Sequence, residues 1–175
     1  MKKSISLSGI KQISKQLLFK NTFFFARASP QYTQLLLNNK WVDSKSGKTF
    51  GIENPGTEEK ICDVSYAGAE DVELAVKYAN KAFDNGPWRH MSGYERGRLM
   101  NKLADLIERD GDYIANLEAQ ESGKPYWFAH DVDLALTIKT YRYYAGYADK
   151  IHGQTIPIGS NHLVYTRKEP VGVVG

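Results

Sequence analysis

Between residues 35 and 64 the apolar positions come in short runs separated by turn formers. Leu35-Leu36-Leu37, Asn38-Asn39 and Lys40-Trp41-Val42 spell strand, tight turn and strand. Two asparagines tolerate the positive φ that a hairpin turn demands. Thr49–Glu53 is extended and stops at Asn54-Pro55-Gly56-Thr57, where Pro55 fixes one φ and Gly56 frees the next. Lys60–Val64 is a further short strand, and the set predicts a small antiparallel patch.

The period then changes from two to between three and four. Val72, Ala75, Val76, Ala79 and Phe83 predict a helix over 70–84 that Asn85-Gly86-Pro87 stops. Ser92 with Glu95 three residues on is a capping box. It opens a helix with Leu99, Leu103, Leu106 and Ile107 on one face, ending near Gly111. Asp112–Gln120 is a helix closed by Gly123 and Pro125. Tyr126 to Lys150 reads as one helix, about 37 Å at 1.5 Å per residue. Leu134, Ile138, Tyr141, Ala145 and Ala148 line one of its sides.

After Gly153 the strand pattern returns. Thr155–Ile158, a Gly159-Ser160-Asn161 turn and Leu163–Arg167 predict a hairpin. Pro170 to Gly175, with Val171, Val173 and Val174, reads as the start of a buried strand of a parallel sheet. The fold class is α/β, helix-rich, with short edge strands.

Charge changes the picture at the front of the chain. Residues 1–29 hold Lys2, Lys3, Lys11, Lys15, Lys20 and Arg27, five serines and no acid. Ile10, Ile13, Leu17 and Leu18 recur there at helical spacing. This is the composition of a mitochondrial transit peptide, with Arg27 before Ala28-Ser29 resembling a matrix-processing site. It points to the mitochondrial matrix; a basic tail or a membrane-surface helix is the other reading. The remaining 17 basic side chains face all 20 acids, so the body is net −3 and ill-suited to nucleic acid. No run of about 18 apolar residues is present, so no membrane-spanning helix is expected.

The chemistry-bearing residues are sparse. Cys62 is the one cysteine, which excludes an internal disulfide and a multi-cysteine zinc site. It sits in a strand beside acids, which oppose thiolate formation, and reads as a packing residue. Gly172-Val173-Val174-Gly175 lacks the full pattern and following helix of a dinucleotide turn. Gly123-Lys124 has Pro125 where a phosphate loop needs Ser or Thr. His90, His130, His152 and His162 never fall at helical i, i+4 spacing, so no histidine metal cluster is expected. Trp127, Phe128, Tyr141, Tyr143, Tyr144 and Tyr147 read as helix packing rather than a base-stacking platform.

Several longer motifs remain. Asn54 to Thr57, the Pro87-Trp88-Arg89 turn, Arg98 to Asp110, Glu121-Ser122-Gly123-Lys124-Pro125, Tyr143 to Gly153 and Arg167 to Gly175 stand in one order. Together they resemble the N-terminal part of the aldehyde dehydrogenases, most nearly the mitochondrial and cytosolic retinal and acetaldehyde branch. The likeness covers 34–175 almost without a gap, and ordered motifs are far more specific than any single one.

The resemblance implies an NAD-dependent oxidation of an aldehyde to a carboxylic acid. Such chemistry needs a thiolate, oxyanion donors, a nicotinamide and a base. In the family, the oxyanion Asn, the glycine-rich cofactor turn, the general-base Glu and the nucleophilic Cys all follow the stretch that matches Arg167–Gly175. The chain is therefore expected to resemble the first third of the enzyme, as a truncated product, partial gene or cloned fragment, and to be inactive alone. No catalytic or cofactor-binding residue is expected within it.

The implied organisation is a transit peptide at 1–29 and the N-terminal part of the NAD-binding domain at 30–153. A protruding oligomerisation hairpin follows at 154–169, then the start of the core parallel strand at 170–175, leaving an incomplete parallel sheet. The complete enzyme would be a homo-oligomer, a tetramer. The resemblance also implies a structural monovalent cation held by the carbonyls of Ile52 and Glu53 and the carboxylate of Glu121; hard oxygen donors suit such an ion. The plainer reading of Glu121 is an exposed acid in a last helical turn. The rival to the enzyme is a non-catalytic interaction protein that pairs with full-length subunits through hairpin 155–167.

Overall fold

The computed structural model describes residues 28–175. The leader expected at 1–29 lies outside them except for Ala28 and Ser29.

Strands β1 (Leu35–Leu37) and β2 (Lys40–Val42) pair antiparallel, with Leu35 opposite Val42 and Leu37 opposite Lys40. Asn38 and Asn39 take φ of 50° and 59°, the left-handed pair that closes a two-residue hairpin. Strands β3 (Thr49–Glu53) and β4 (Lys60–Ser65) form a second antiparallel ladder, irregular between Ile52 and Glu53. Buried Asn54 builds the turn between them: its Oδ1 accepts the Gly56 N–H at 2.8 Å, and its carbonyl accepts the Glu58 N–H at 2.8 Å.

Helix α1 (Ala69–Asn85) opens on Gly68, whose N–H donates to Asp71 Oδ2 at 2.9 Å. Asp71 is buried and also accepts the Lys45 N–H at 3.1 Å, tying the loop before β3 to the helix. The expected Pro87 turn is a one-turn helix, α2 (Pro87–His90), with proline at its first position. Helix α3 (Gly93–Arg109) carries the expected capping box. Ser92 Oγ accepts the Glu95 N–H at 3.2 Å, and Glu95 accepts the Ser92 N–H at 3.0 Å. Helix α4 (Gly111–Ser122) ends at Gly123 in the left-handed region, φ 71°.

The span 126–150 departs from one regular helix. It comprises α5 (Tyr126–Phe128), a π-helical stretch (Ala129–Leu134) and α6 (Ala135–Tyr147). A π turn brings residues five apart into line. Here that places Ala129 and Leu134, both buried, towards one side. The predicted stripe on this span holds: Leu134 and Ala145 are buried, and Ile138, Tyr141 and Ala148 are half-buried.

The predicted stripe on α3 holds only at Ile107, which is half-buried. Leu99, Leu103 and Leu106 are exposed, whereas Gly97 and Ala104 are buried. Helix α3 packs on α6 through its small residues instead, because a close crossing needs them. A Cβ on Gly97 would lie 2.6 Å from the Ala145 carbonyl oxygen. Arg142 on α6 spans the crossing, reaching Asp105 at 3.0 Å and Glu108 at 2.6 Å. Among the described residues the buried apolar ones are five alanines and Leu134, with Ala115, Ala119 and Ala129 in contact beneath Tyr126.

The last hairpin is shorter than expected. Strands β5 (Thr155–Ile156) and β6 (Val164–Tyr165) pair over two residues each. The strand expected at 170–175 is not formed, and Val171 is fully exposed. A strand exists through its ladder bonds, and the three ladders of the described residues are all antiparallel pairs elsewhere. The incomplete parallel sheet is thus absent among the described residues.

Candidate functional site

Two turns meet at one edge of the molecule. The Gly123 cap of α4 lies against the ring of Pro55, and a Cβ at Gly123 would stand 3.0 Å from Pro55 Cγ. Glu121 and Glu53 each precede one member of that contact by two residues. The contact therefore brings together the two segments that hold the expected cation donors. Ile52 is half-buried opposite Cys62, and Glu53 and Glu121 are exposed. The ladder irregularity falls at Ile52 and Glu53, whose carbonyls are the expected ligands. Two carbonyls and a carboxylate are hard donors of the kind an alkali cation takes. Among the described residues no group of three His, Cys, Asp or Glu side chains could hold a metal ion.

Beside this edge lies a charge cluster that the sequence pattern did not single out. Lys124 is half-buried and donates to Glu118 Oε1 at 2.6 Å and Asp133 Oδ2 at 2.7 Å. It links α4 to the π-helical stretch. The hydrogen bond to Asp133, then that to Glu118, raises the Lys124 ammonium above its ordinary value. Next to it, Tyr126 Oη donates to Asp112 Oδ1 at 2.7 Å. That bond, with burial and the Asp112 charge, pushes the Tyr126 phenol up to about 12. The His130 ring stacks on Tyr126 at 5.6 Å between centroids and lies 2.7 Å from Asp131 through Nδ1. Lys124 carries one positive charge between the carboxylates of Glu118 and Asp133. His130, Asp131 and Asp133 come from the π-helical stretch, and no linear spacing announces the cluster.

Cys62 is half-buried in the β3–β4 ladder. Among the described residues it is the one thiol, and none of the four histidines lies near it in the chain. No helix of the described residues is long and apolar enough to cross a membrane.

The aldehyde dehydrogenase family model matches residues 41–175, and the chain belongs to that family. It is 54% identical over 145 residues to a mitochondrial aldehyde dehydrogenase of Equus caballus, covering 82% of this chain and 29% of the relative. It is 56% identical over 146 residues to aldehyde dehydrogenase 1A1 of Homo sapiens, covering 83% and 29%. Among solved structures, the NAD+ complex of an aldehyde dehydrogenase from Bacillus cereus superposes with a TM-score of 0.79 at 46% identity, over 82% of this chain and 29% of that one. The chain thus spans under a third of the length of these relatives. Each of these is an aldehyde dehydrogenase, so the rival reading as a non-catalytic interaction protein gains no support.

Proposed function

We propose that the protein carrying this chain oxidises aldehydes to carboxylic acids with NAD, and that these 175 residues supply scaffold rather than reactive groups. The observation that carries the reading is the agreement of sequence and fold with aldehyde dehydrogenases, one of them solved with NAD+, over four-fifths of the chain. The 29% share of the relatives' length leaves room for a nucleophilic Cys, a general-base Glu and an oxyanion Asn outside these residues. Catalytic and cofactor-binding roles are therefore assigned to none of the residues present. The experiment is turnover of the whole protein with acetaldehyde and NAD. NADH and acetate in equal amounts support the reading; an aldehyde-independent NADH signal or none overturns it.

Three finer points belong to the same reading. Ile52, Glu53 and Glu121 form part of a structural monovalent cation site, supported by the meeting of their segments at Gly123 and Pro55. The Glu121→Gln change then abolishes potassium-dependent stabilisation of the whole protein; unchanged dependence removes the site. Hairpin 154–169 serves oligomerisation into a tetramer, supported by its exposed Leu163 and Tyr165. The acid-free segment 1–29 directs the protein to the mitochondrial matrix; a reporter fused to it that stays cytosolic refutes the targeting.

A further inference from the structure

Residues 28–33 are fastened to the body at every step. Gln120, buried on α4, donates from Nε2 to the Ala28 carbonyl at 3.2 Å. Tyr113 Oη, about two turns earlier on the same helix, accepts the Gln31 N–H at 3.0 Å and donates to the Ser29 carbonyl at 3.4 Å. The Tyr32 ring stacks on Trp41, with centroids 4.5 Å apart and planes within 10°. The Thr33 carbonyl then accepts the Ser65 N–H at 2.8 Å, at the end of β4. Seldom does so short a segment before the first strand touch a helix and two hairpins; such segments are loose unless tied.

We propose that 28–33 is a strap that defines where proteolytic trimming of the front of the chain stops, with Tyr113 and Gln120 as its fasteners. The proposal rests on the reading of the acid-free front of the chain as a removable leader whose processing site is Arg27, before Ala28-Ser29. Endoproteases bind a substrate as an extended strand and pair with its backbone groups. Across this strap the Ala28, Ser29 and Thr33 carbonyls and the Gln31 N–H are already engaged. A protease must first peel the strap from α4, so cleavage there follows the population of the peeled state. Removal of the leader therefore leaves Ala28, or a residue before it, as the first of the mature protein. The Tyr32 ring is stacked on Trp41, so cleavage after Tyr32 reports release of the ring as well as of the backbone, and changes at Tyr113 and Gln120 isolate the backbone part.

The test has two arms. In the first, the full chain is digested briefly with chymotrypsin and the cut after Tyr32 is timed against the cut after Tyr165 in the exposed hairpin. Tyr113→Phe and Gln120→Ala each remove a fastener. Each lost hydrogen bond raises the peeled population about fivefold, so Gln120→Ala, losing one, speeds the Tyr32 cut about that much and Tyr113→Phe, losing two, speeds it more, while the Tyr165 cut is unchanged. Equal acceleration at both sites, or none, overturns the strap. In the second arm, the protein is recovered from mitochondria and its first residue is sequenced. A terminus at or before Ala28 supports the proposal, and one at Ser29 or later overturns it. An unprocessed protein refutes the leader reading and the trimming stop with it, while the chymotrypsin arm judges the fasteners independently.

Discussion

Gly123 and Pro55 pack so closely that a Cβ at Gly123 would stand 3.0 Å from Pro55 Cγ. Gly123 combines a left-handed φ of 71° with a place 3.0 Å from the proline ring for any Cβ. Both constraints fall on one residue. Gly123→Ala meets the left-handed penalty, about 1 kcal/mol, and must also displace the Asn54–Thr57 turn. The denaturant midpoint of the chain falls accordingly, with an unchanged slope. Pro55→Ala removes the ring and relieves the second part only, so the double variant loses less than the two single losses combined.

Helix α3 crosses α6 at Gly97. With the Ala145 carbonyl 2.6 Å from any added Cβ, Gly97→Val separates the helices and pulls Arg142 from Asp105 and Glu108. Loss of far-UV helicity or aggregation on purification is the expected result. Leu99→Ala, on the exposed face of the same helix, leaves the helicity of this chain within error.

Tyr126 gives a spectroscopic handle. Its phenol is raised from 10.0 to about 12, chiefly by donating to Asp112. A group raised in this way contributes stability that is complete below the unfolded value and is lost as pH climbs through the folded one. Stability of the wild type therefore falls between pH 10 and about 12, and Tyr126→Phe lacks that part of the fall. In a phenolate absorbance titration the latest tyrosine disappears in Tyr126→Phe and moves earlier in Asp112→Asn.

Glu95 moves the other way. The Ser92 backbone N–H, then the Ser92 hydroxyl, hold its carboxyl below 4.5. Its contribution is present above the unfolded value and fades as pH falls through the folded one. Glu95→Gln flattens the stability profile below pH 4.5. Ser92→Ala costs about 1 kcal/mol at neutral pH, as loss of a cap does, measured by denaturant unfolding.

Local chemistry made much of the fold legible. Asn38-Asn39, Asn54, Ser92 with Glu95 and Gly123 each dictate backbone geometry through their own side chain or its absence, and the structure places all four devices where the sequence did. What failed was non-local. The leucines of α3 form the stronger apolar stripe, yet the neighbour it meets selects Gly97 and Ala104. The π-helical stretch, whose Asp133 accepts from Lys124, and the Tyr126–Asp112 bond join α4 to the following span in a registry that no period records. Val171 to Val174 has strand composition but no ladder to join. The donors proposed for a cation were suggested only by the family resemblance, because backbone carbonyls carry no sequence signature.

The scaffold account is tested most directly by offering the 175-residue chain acetaldehyde and NAD and following NADH absorbance. The account predicts a trace indistinguishable from buffer, and the same trace for Cys62→Ala. Sustained NADH formation by the chain, abolished in Cys62→Ala, would place the reactive thiol in the β3–β4 ladder and contradict it.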